Sequence, residues 1–486
     1  MIDVCLLLEG TYPYVAGGVS TWVHQLITAM RDIRFGIIYI APHSDPTRQI
    51  KYEVPNHVLY LKEVYLHDYD LAERGRRKVT KQDLALVKSF YERLAREDYS
   101  LFERVITELR PEGIPINLQH LFTSKTVWQM LEDFYDMAEE DVSFIDFFWT
   151  WRGTHLPVAQ IVNAEIPRAK IYHSVSTGYA GLMGALAKIM NSGKYFLTEH
   201  GIYTHERALE ISQANWIYEN EKINFRATRE LSFFKQWWVN LFKVMSHLSY
   251  QYADQIFTLY EGNRLRQIIE GADKEKISII PNGINLDRFS AIKREKKQSP
   301  QIGLIGRVVP IKDVKTFIQS AKLVLRKLPE ALFYIIGPTD EEEEYYIECR
   351  NLVESLKISD NVIFTGRVDV AEYYAFMDVV VLTSVSEAQP YVILEANICG
   401  IPCVASDVGS CRELLFGRTG EDQRLGQSGM ITEVSNPDST AEAVLKTLQD
   451  KELYNKMAEA GIKRVKTYYD QDDLLSRYLN VYEQNL

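Results

Sequence analysis

Short apolar runs alternate with stretches of helical period along most of the chain. Val4 to Leu8 predicts a strand, Gly17-Gly18 a turn, Val19 to Met30 a helix and Phe35 to Ile40 a second strand. That order belongs to parallel strands joined by crossover helices. After Pro42 the alternation stops: residues 43–150 mix charged and aromatic positions, with helical stretches near 81–97, 100–109 and 125–140, and predict a mostly helical insertion. It resumes with a strand at Lys170 to Val175, a helix from Thr177 to Met190, a strand at Tyr195 to Thr198, a long helical region to Tyr252 and a strand at Gln255 to Leu259.

A polar, cationic stretch from Ser290 to Pro300 has no apolar run and predicts a linker, set at 285–300, between a first domain over 1–284 and a second over 301–468. Strands are predicted in the second domain at Ile302–Ile305, Leu332–Ile336, Val362–Phe364, Val379–Leu382 and Cys403–Ala405, with a helix after each of the first four. Residues 469–486 predict a final helix that returns to the first domain. The fold class is α/β: two tandem, doubly wound, Rossmann-like domains facing a cleft, with a helical insertion in the first. Sheets of this kind hold ligands beyond the carboxyl ends of their strands, where the strand order reverses.

Composition narrows the choice. At 486 residues the chain exceeds a single small module, and 46% apolar with 25% charged residues is ordinary globular material. A net charge of −11 argues against nucleic acid as a partner. The five cysteines lack any CxxC pair and sit in apolar contexts, so buried packing is expected rather than disulfides or zinc. The first residues read as a strand rather than a signal peptide, and no run is long and apolar enough for a membrane helix. A cytoplasmic location is expected, with peripheral attachment at the inner face of the cytoplasmic membrane as an option.

The densest chemistry lies between Ser384 and Ser406. Glu387 follows a predicted strand, Glu395 stands eight positions later, Pro390 fits a first helical turn and Gly400 the position after the helix. Free N–H groups from about Gln389 to Val392 would face the cleft, where the helix dipole favours a diphosphate. Gly306-Arg307 and Lys312 follow the first strand of the second domain and supply cations. In the first domain Gly17-Gly18-Val19 opens a helix after the first strand, and Thr198-Glu199-His200-Gly201 ends another strand.

These segments resemble the Glu-x7-Glu region and its companions in glycosyltransferase family four, a retaining family of GT-B architecture. The resemblance implies that Glu395 bonds the donor ribose, that Glu387 lies against the donor sugar and that Arg307 and Lys312 clamp the leaving diphosphate. It also implies donor contacts from Gly17, Gly18, Thr365, Tyr391 and Val392, and a role for His200 in polarising a sugar hydroxyl or assisting the acceptor. Pro281-Asn282-Gly283-Ile284 matches the family's turn at the end of the first domain, and Gly409 with Glu413 matches a recurrent helix start, where a plain structural role for Glu413 is equally open. Phe147 to Arg152, His173 to Gly181, Thr198 to Arg207 and Ser386 to Pro390 narrow the resemblance to the cytosolic glycosyltransferases of Pel exopolysaccharide synthesis. That implies a UDP-sugar donor carrying a hexose or N-acetylhexosamine, a growing glycan as acceptor, and inner-membrane Pel synthesis partners. Where the wider family often has Gly-Phe-Gly after the first glutamate, this chain has Ala388-Gln389-Pro390.

No cofactor or metal is expected. Asp68-Tyr69-Asp70 and Asp470-Gln471-Asp472 match the Asp-x-Asp pattern of metal-dependent transferases, but neither follows an apolar strand. A stripe of Phe234, Trp237, Trp238, Leu241, Phe242 and Met245 predicts the buried face of a helix, with membrane or partner docking as the alternative. The rival functions are an epimerase or storage-glucan synthase on the same fold, and a non-catalytic nucleotide-binding scaffold subunit.

Overall fold

The computed structural model describes residues 2–68, 77–138, 142–214, 217 and 231–486. It divides into two compact units, one of residues 1–258, 264–278 and 479–486, the other of residues 259–263 and 279–478.

The first unit is built on strands β1 (Ile2–Glu9), β2 (Phe35–Ala41), β3 (Val58–Tyr65), β4 (Ala169–Ser174), β5 (Lys194–Glu199), β6 (Gln255–Thr258) and β7 (Ile277–Ile279). Their order in the sheet is β3-β2-β1-β4-β5-β6-β7, with β1 parallel to both β2 and β4 in a register that sets Val4 beside Phe35 and Ile171. From Ile2 to Leu8 every β1 side chain is buried, as expected of a strand covered by helices on both faces. The helix Gly18–Ala29 follows β1, and the almost wholly buried Tyr179–Asn191 follows β4.

The stretch 43–150 is not wholly helical, because β3 lies inside it. It joins the sheet as an outer strand whose first four positions alternate between half-buried and exposed, with Leu59 57% exposed and only Val64 buried. Lys62 and Glu63 within it weaken the apolar signal that marks the central strands. The rest of the stretch supplies helices Lys81–Leu94, Phe102–Leu109, Leu118–Thr123 and Lys125–Met137, and the helix Phe144–Asn163 runs beyond it. The first starts on a capping box in which Thr80 accepts from the Asp83 N–H and Asp83 accepts from the Thr80 N–H.

The second unit carries β8 (Gln301–Ile305), β9 (Leu332–Ile336), β10 (Val362–Gly366), β11 (Val379–Leu382), β12 (Cys403–Ser406) and β13 (Gly429–Thr432), in the order β10-β9-β8-β11-β12-β13. All the pairings are parallel. The order reverses between β8 and β11, so the crevice beyond their carboxyl ends is where this topology places a ligand.

The 285–300 segment is no loose tether. It begins with a helix at Leu286–Ser290, the Glu295 N–H donates to the Ala375 carbonyl at 2.6 Å, and the Arg294 guanidinium donates to the carbonyls of Tyr374 and Met377. The final helix, Gln471–Glu483, ends among first-unit residues: Tyr482 is fully buried, its hydroxyl 2.6 Å from His173 Nδ1. All five cysteines are buried. On the helix Phe233–Tyr252, Phe234, Phe242 and Met245 are core residues, while Trp237, Trp238 and Leu241 are half-buried against that core. The stripe is therefore a packing face. Among the described residues, the exposed tryptophans of this unit are Trp128 and Trp149, at 44% and 57%.

Candidate functional site

In the second unit the site is assembled by two loops that leave neighbouring strands. After β8 the chain passes through Gly306 and Arg307 into a single turn at Pro310–Lys312, then enters the helix Val314–Leu325 with Asp313 as its cap. After β11 it passes through Thr383 and Ser384 to Glu387. The loops are stitched together: Thr383 Oγ1 donates to the carbonyls of Lys312 and Asp313 at 3.1 and 2.9 Å, and the Val385 N–H to the Ile311 carbonyl at 2.9 Å. This places Lys312 Nζ 2.5 Å from Glu387 Oε1, which also accepts from Ser384 Oγ at 2.6 Å. The pair is largely withdrawn from water, with 23% of the Lys312 side chain and 11% of the Glu387 side chain exposed.

A third loop braces the pair. Gly409, after β12, has φ +53°, and a Cβ there would sit 2.1 Å from the Glu387 carbonyl oxygen. Only glycine combines that conformation with that approach. The next residue, Ser410, donates its N–H to the Ala388 carbonyl at 2.9 Å. Ala388-Gln389-Pro390 is held from another side: Gln389 is buried, accepting from the Asn282 N–H at 2.8 Å and donating to the Asn282 carbonyl at 2.9 Å. The Pro281-Asn282-Gly283 turn is thereby bolted to the loop that carries Glu387. Sequence reasoning missed Ser384 and this Gln389 clamp, since neither residue type signals such a contact by spacing.

The helix itself runs Tyr391–Ile398, with Pro390 at its cap position rather than inside its first turn. Proline has no N–H, so the expected row of amides from Gln389 to Val392 is interrupted and the free donors at the helix start are those of Tyr391 and Val392. Gly400 lies just past the helix end with φ +71°, as its sequence position predicts. Glu395 accepts from the hydroxyl of the fully buried Tyr374 at 2.8 Å, and burial raises its carboxyl above the usual range. The Tyr391 hydroxyl is buried with no hydrogen-bond partner among the described residues. Thr365, near the end of β10, donates to the Gly366 carbonyl at 3.0 Å.

Arg307 is not gathered into this cluster. Half exposed, it pairs with Glu341 at 2.8 Å, just before the helix Glu343–Ser355. Glu413 is an anchor: its carboxylate accepts the N–H groups of Glu261 and Gly262, at 3.2 and 3.3 Å, at the start of the helix Glu261–Ile269.

The first unit presents its own cluster at the ends of β1 and β5. His200 is buried, its ring edge-on to Trp22 at 4.9 Å, and burial lowers its pKa to about 4, so the imidazole is neutral at physiological pH. The adjacent Glu199 accepts from Tyr250 and Gln267 at 2.7 and 2.8 Å and from the Tyr203 N–H at 3.1 Å. Burial nevertheless pushes its carboxyl up to about 7, above the 4.5 of the free side chain. Folding therefore favours the protonated form, so the stability tied to Glu199 is complete below pH 4.5 and is lost as pH rises through about 7. Glu199→Gln is expected to narrow the gap in melting temperature between about pH 5 and about pH 8.

Glu9, at the end of β1, accepts from the Tyr203 hydroxyl at 2.6 Å and the Ala180 N–H at 3.3 Å, a link invisible in the sequence because 194 positions separate Glu9 from Tyr203. Gly17 caps the helix Gly18–Ala29 in extended backbone, and a Cβ built there meets nothing within 4 Å. The fold does not demand glycine at this position.

The Asp-x-Asp matches serve locally. Asp68 accepts from the Ser44 N–H and lies 2.9 Å from His43 Nδ1, while Asp70 is outside the described residues. Asp470 accepts from the Asp472 N–H at 3.1 Å, capping the last helix.

Two parallel-sheet Rossmann-like units with helices, the second carrying a Lys-Glu pair at its topological switch point, define a protein of the GT-B fold. The chain belongs to the family described as "Domain of unknown function (DUF3492)", whose model matches residues 2–275, and residues 286–464 match the family "Glycosyl transferases group 1". Among curated relatives, the N-acetyl-alpha-D-glucosaminyl L-malate synthase of Bacillus anthracis is 25% identical over 240 residues, covering 49% of this chain and 59% of that protein. The N,N'-diacetylbacillosaminyl-diphospho-undecaprenol alpha-1,3-N-acetylgalactosaminyltransferase of Campylobacter jejuni is 28% identical over 250 residues, covering 49% and 62%. The chain thus spans about three-fifths of the length of these relatives. Among solved structures, Anabaena HepE in complex with UDP superposes with a TM-score of 0.60 at 14% identity, covering 99% of this chain and 100% of that one. Sucrose-phosphate synthase from Thermosynechococcus elongatus gives 0.57 at 17% identity, covering 99% and 98%. At these identities the likeness establishes the fold.

Proposed function

We propose that this protein is a retaining glycosyltransferase that moves a hexose or N-acetylhexosamine from a UDP-sugar to a growing Pel-type exopolysaccharide, as the cytosolic Pel glycosyltransferase PelF would. The observation that carries the reading is the Lys312–Glu387 contact, held at 2.5 Å by loops from β8 and β11 where the sheet order reverses. A fixed ammonium beside the helix start of Tyr391–Ile398 suits a diphosphate whose negative charge grows as the sugar leaves. Glu387, anchored by Lys312 and Ser384, would face the donor sugar, and Glu395 the ribose, exchanging its Tyr374 bond for a ribose hydroxyl. Arg307 would swing from Glu341 to the diphosphate. Thr365, Tyr391 and Val392 would line the nucleotide, and the neutral His200 would hydrogen-bond a sugar or acceptor hydroxyl without adding charge. Transfer would follow from attack of the acceptor hydroxyl on the anomeric carbon from the leaving-group face. A departing phosphate oxygen takes the acceptor proton, so no side chain forms a covalent bond. The resemblance of Phe147 to Arg152 and His173 to Gly181 to the Pel enzymes supports the glycan product, inner-membrane Pel partners and work at the cytoplasmic face.

A thermal-shift screen across UDP-, GDP- and ADP-sugars, followed by a transfer assay with the stabilising donor, tests the reading. A UDP-sugar at about 100 times its Kd should add about 2.7 kcal/mol of stability, and stabilisation by GDP- or ADP-sugars alone would overturn the donor assignment. Transfer is expected to persist in EDTA; complete loss restored by Mg²⁺ or Mn²⁺ would reject a metal-independent reaction. Because the fold leaves room for a side chain at Gly17, Gly17→Ala should alter stability by no more than about 0.5 kcal/mol, yet raise the donor KM severalfold if Gly17 and Gly18 admit the diphosphate. An unchanged KM would remove both residues from the donor site.

A further inference from the structure

Behind the loop that carries Glu387, the second unit encloses a cavity of about 190 Å³ that the proposed reaction does not use. A cavity of about 150 Å³ accepts benzene, so this one admits a ligand of roughly ten non-hydrogen atoms and is too small for a nucleotide sugar. Its walls include Leu414, Tyr468 and Tyr469, and two exposed guanidinium groups, Arg418 and Arg477, also line it; so do two carboxylates already engaged, Glu413 on the N–H groups of Glu261 and Gly262 and Asp422 on Arg464. Neither arginine side chain forms an ion pair among the described residues, in a chain whose net charge is −11. Ser410 lines the cavity too: it is 1% exposed, and its Oγ is buried without a hydrogen-bond partner among the described residues. A buried hydroxyl left unpaired is unfavourable, so a group that satisfies it in the bound state is favoured there.

We propose that this cavity is a binding site for a small organic anion with an apolar or ring-shaped body. Its carboxylate or phosphate lies between Arg418 and Arg477, its body packs on Leu414 and the tyrosine rings, and a hydrogen-bonding group reaches Ser410 Oγ. Carboxylate and phosphate share the recognition chemistry, since guanidinium groups bind either through paired N–H donors. The occupant is sensed by the donor loop. The Ser410 N–H holds the Ala388 carbonyl at 2.9 Å, and Gln389, two residues from Glu387, forms part of the cavity wall.

Titration calorimetry on the full chain with 4-hydroxybenzoate and, separately, glycerol 3-phosphate tests the site and distinguishes the two anions. One of the two is expected to bind saturably at millimolar concentration or below. Arg418→Gln/Arg477→Gln, at exposed positions where folding is not at stake, should weaken that binding at least about tenfold, and Ser410→Ala should weaken it severalfold. Lys312→Ala, which would disable the proposed donor site, should leave it intact, so the result does not depend on the transferase reading. Absence of saturable binding by both probes, or equal binding by the double arginine variant, overturns the proposal.

Discussion

Lys312→Ala is expected to lower sugar transfer by about a thousandfold, and Glu387→Ala to abolish it, with both variants folded. The magnitude follows from the charge that develops. Cleaving a sugar-diphosphate bond places negative charge on the leaving oxygen, and removing one fixed donor aimed at such charge typically costs about 10²–10³ in kcat. A full ammonium at 23% exposure, in a site that excludes much of the water, lies at the upper end of that range. The two substitutions fail differently. Without Lys312, Glu387 keeps the Ser384 hydroxyl but becomes an uncompensated carboxylate, which on the proposed reading would face an anionic donor, so UDP affinity should fall together with turnover. Without Glu387, Lys312 is freed from a 2.5 Å partner, so UDP binding should persist or tighten while transfer disappears. Nucleotide binding by thermal shift, set against transfer rates, separates the two outcomes. Full polymer synthesis by either variant would eliminate the assignment, and UDP binding without turnover in the unaltered protein would favour a scaffold subunit.

How much of this was legible in the sequence depends on how local the cause is. Five of the six strands of the second unit read clearly because each is a short apolar run closed by glycine or a small polar residue, and β8, β9 and β11 fall within a residue of their predicted limits, whereas the four-residue β13, Gly-Met-Ile-Thr, has too short an apolar run to be read and was not predicted. Gly400 was readable for the same reason: a single residue type and a single backbone conformation answer to one position in the helix. β3 was lost inside the helical stretch because an outer strand needs only one apolar face, and its Lys-Glu step looks like solvent-facing helix. The Lys312 and Glu387 candidates were visible as types in place, but their contact was not, since it depends on Thr383 hydroxyl bonds across 70 and 71 residues of chain. Gly409 read as a helix start, whereas its function in the fold is to let a third loop touch the Glu387 carbonyl, a requirement set wholly by tertiary approach.

Arg464→Leu is expected to cost the second unit about 3–5 kcal/mol, the range for removing one partner of a buried ion pair and stranding the other. Arg464 is fully buried with 3% of its Asp422 partner exposed, and its Nε donates to Asp422 Oδ1 at 2.6 Å. Its other donors are taken by the carbonyls of Leu415, Asp422 and Gly426 at 2.9, 3.1 and 2.7 Å, so one side chain from the helix Lys451–Tyr468 ties together two short helices, Cys411–Phe416 and Gly420–Gln423, and the turn that leads to β13. No lysine can imitate that fork, because a single ammonium cannot reach four acceptors arranged around a plane. Arg464→Lys should therefore recover only part of the loss. Arg464→Leu/Asp422→Leu removes the stranded carboxylate but still takes a donor from three carbonyls, of which those of Leu415 and Asp422 keep the N–H groups of Ser428 and Leu425, so it should lie between the single variant and the native chain. Urea midpoints at constant m measure the series. A single-variant loss below about 1 kcal/mol would mean that water reaches the pair, since exposed ion pairs contribute no more than that.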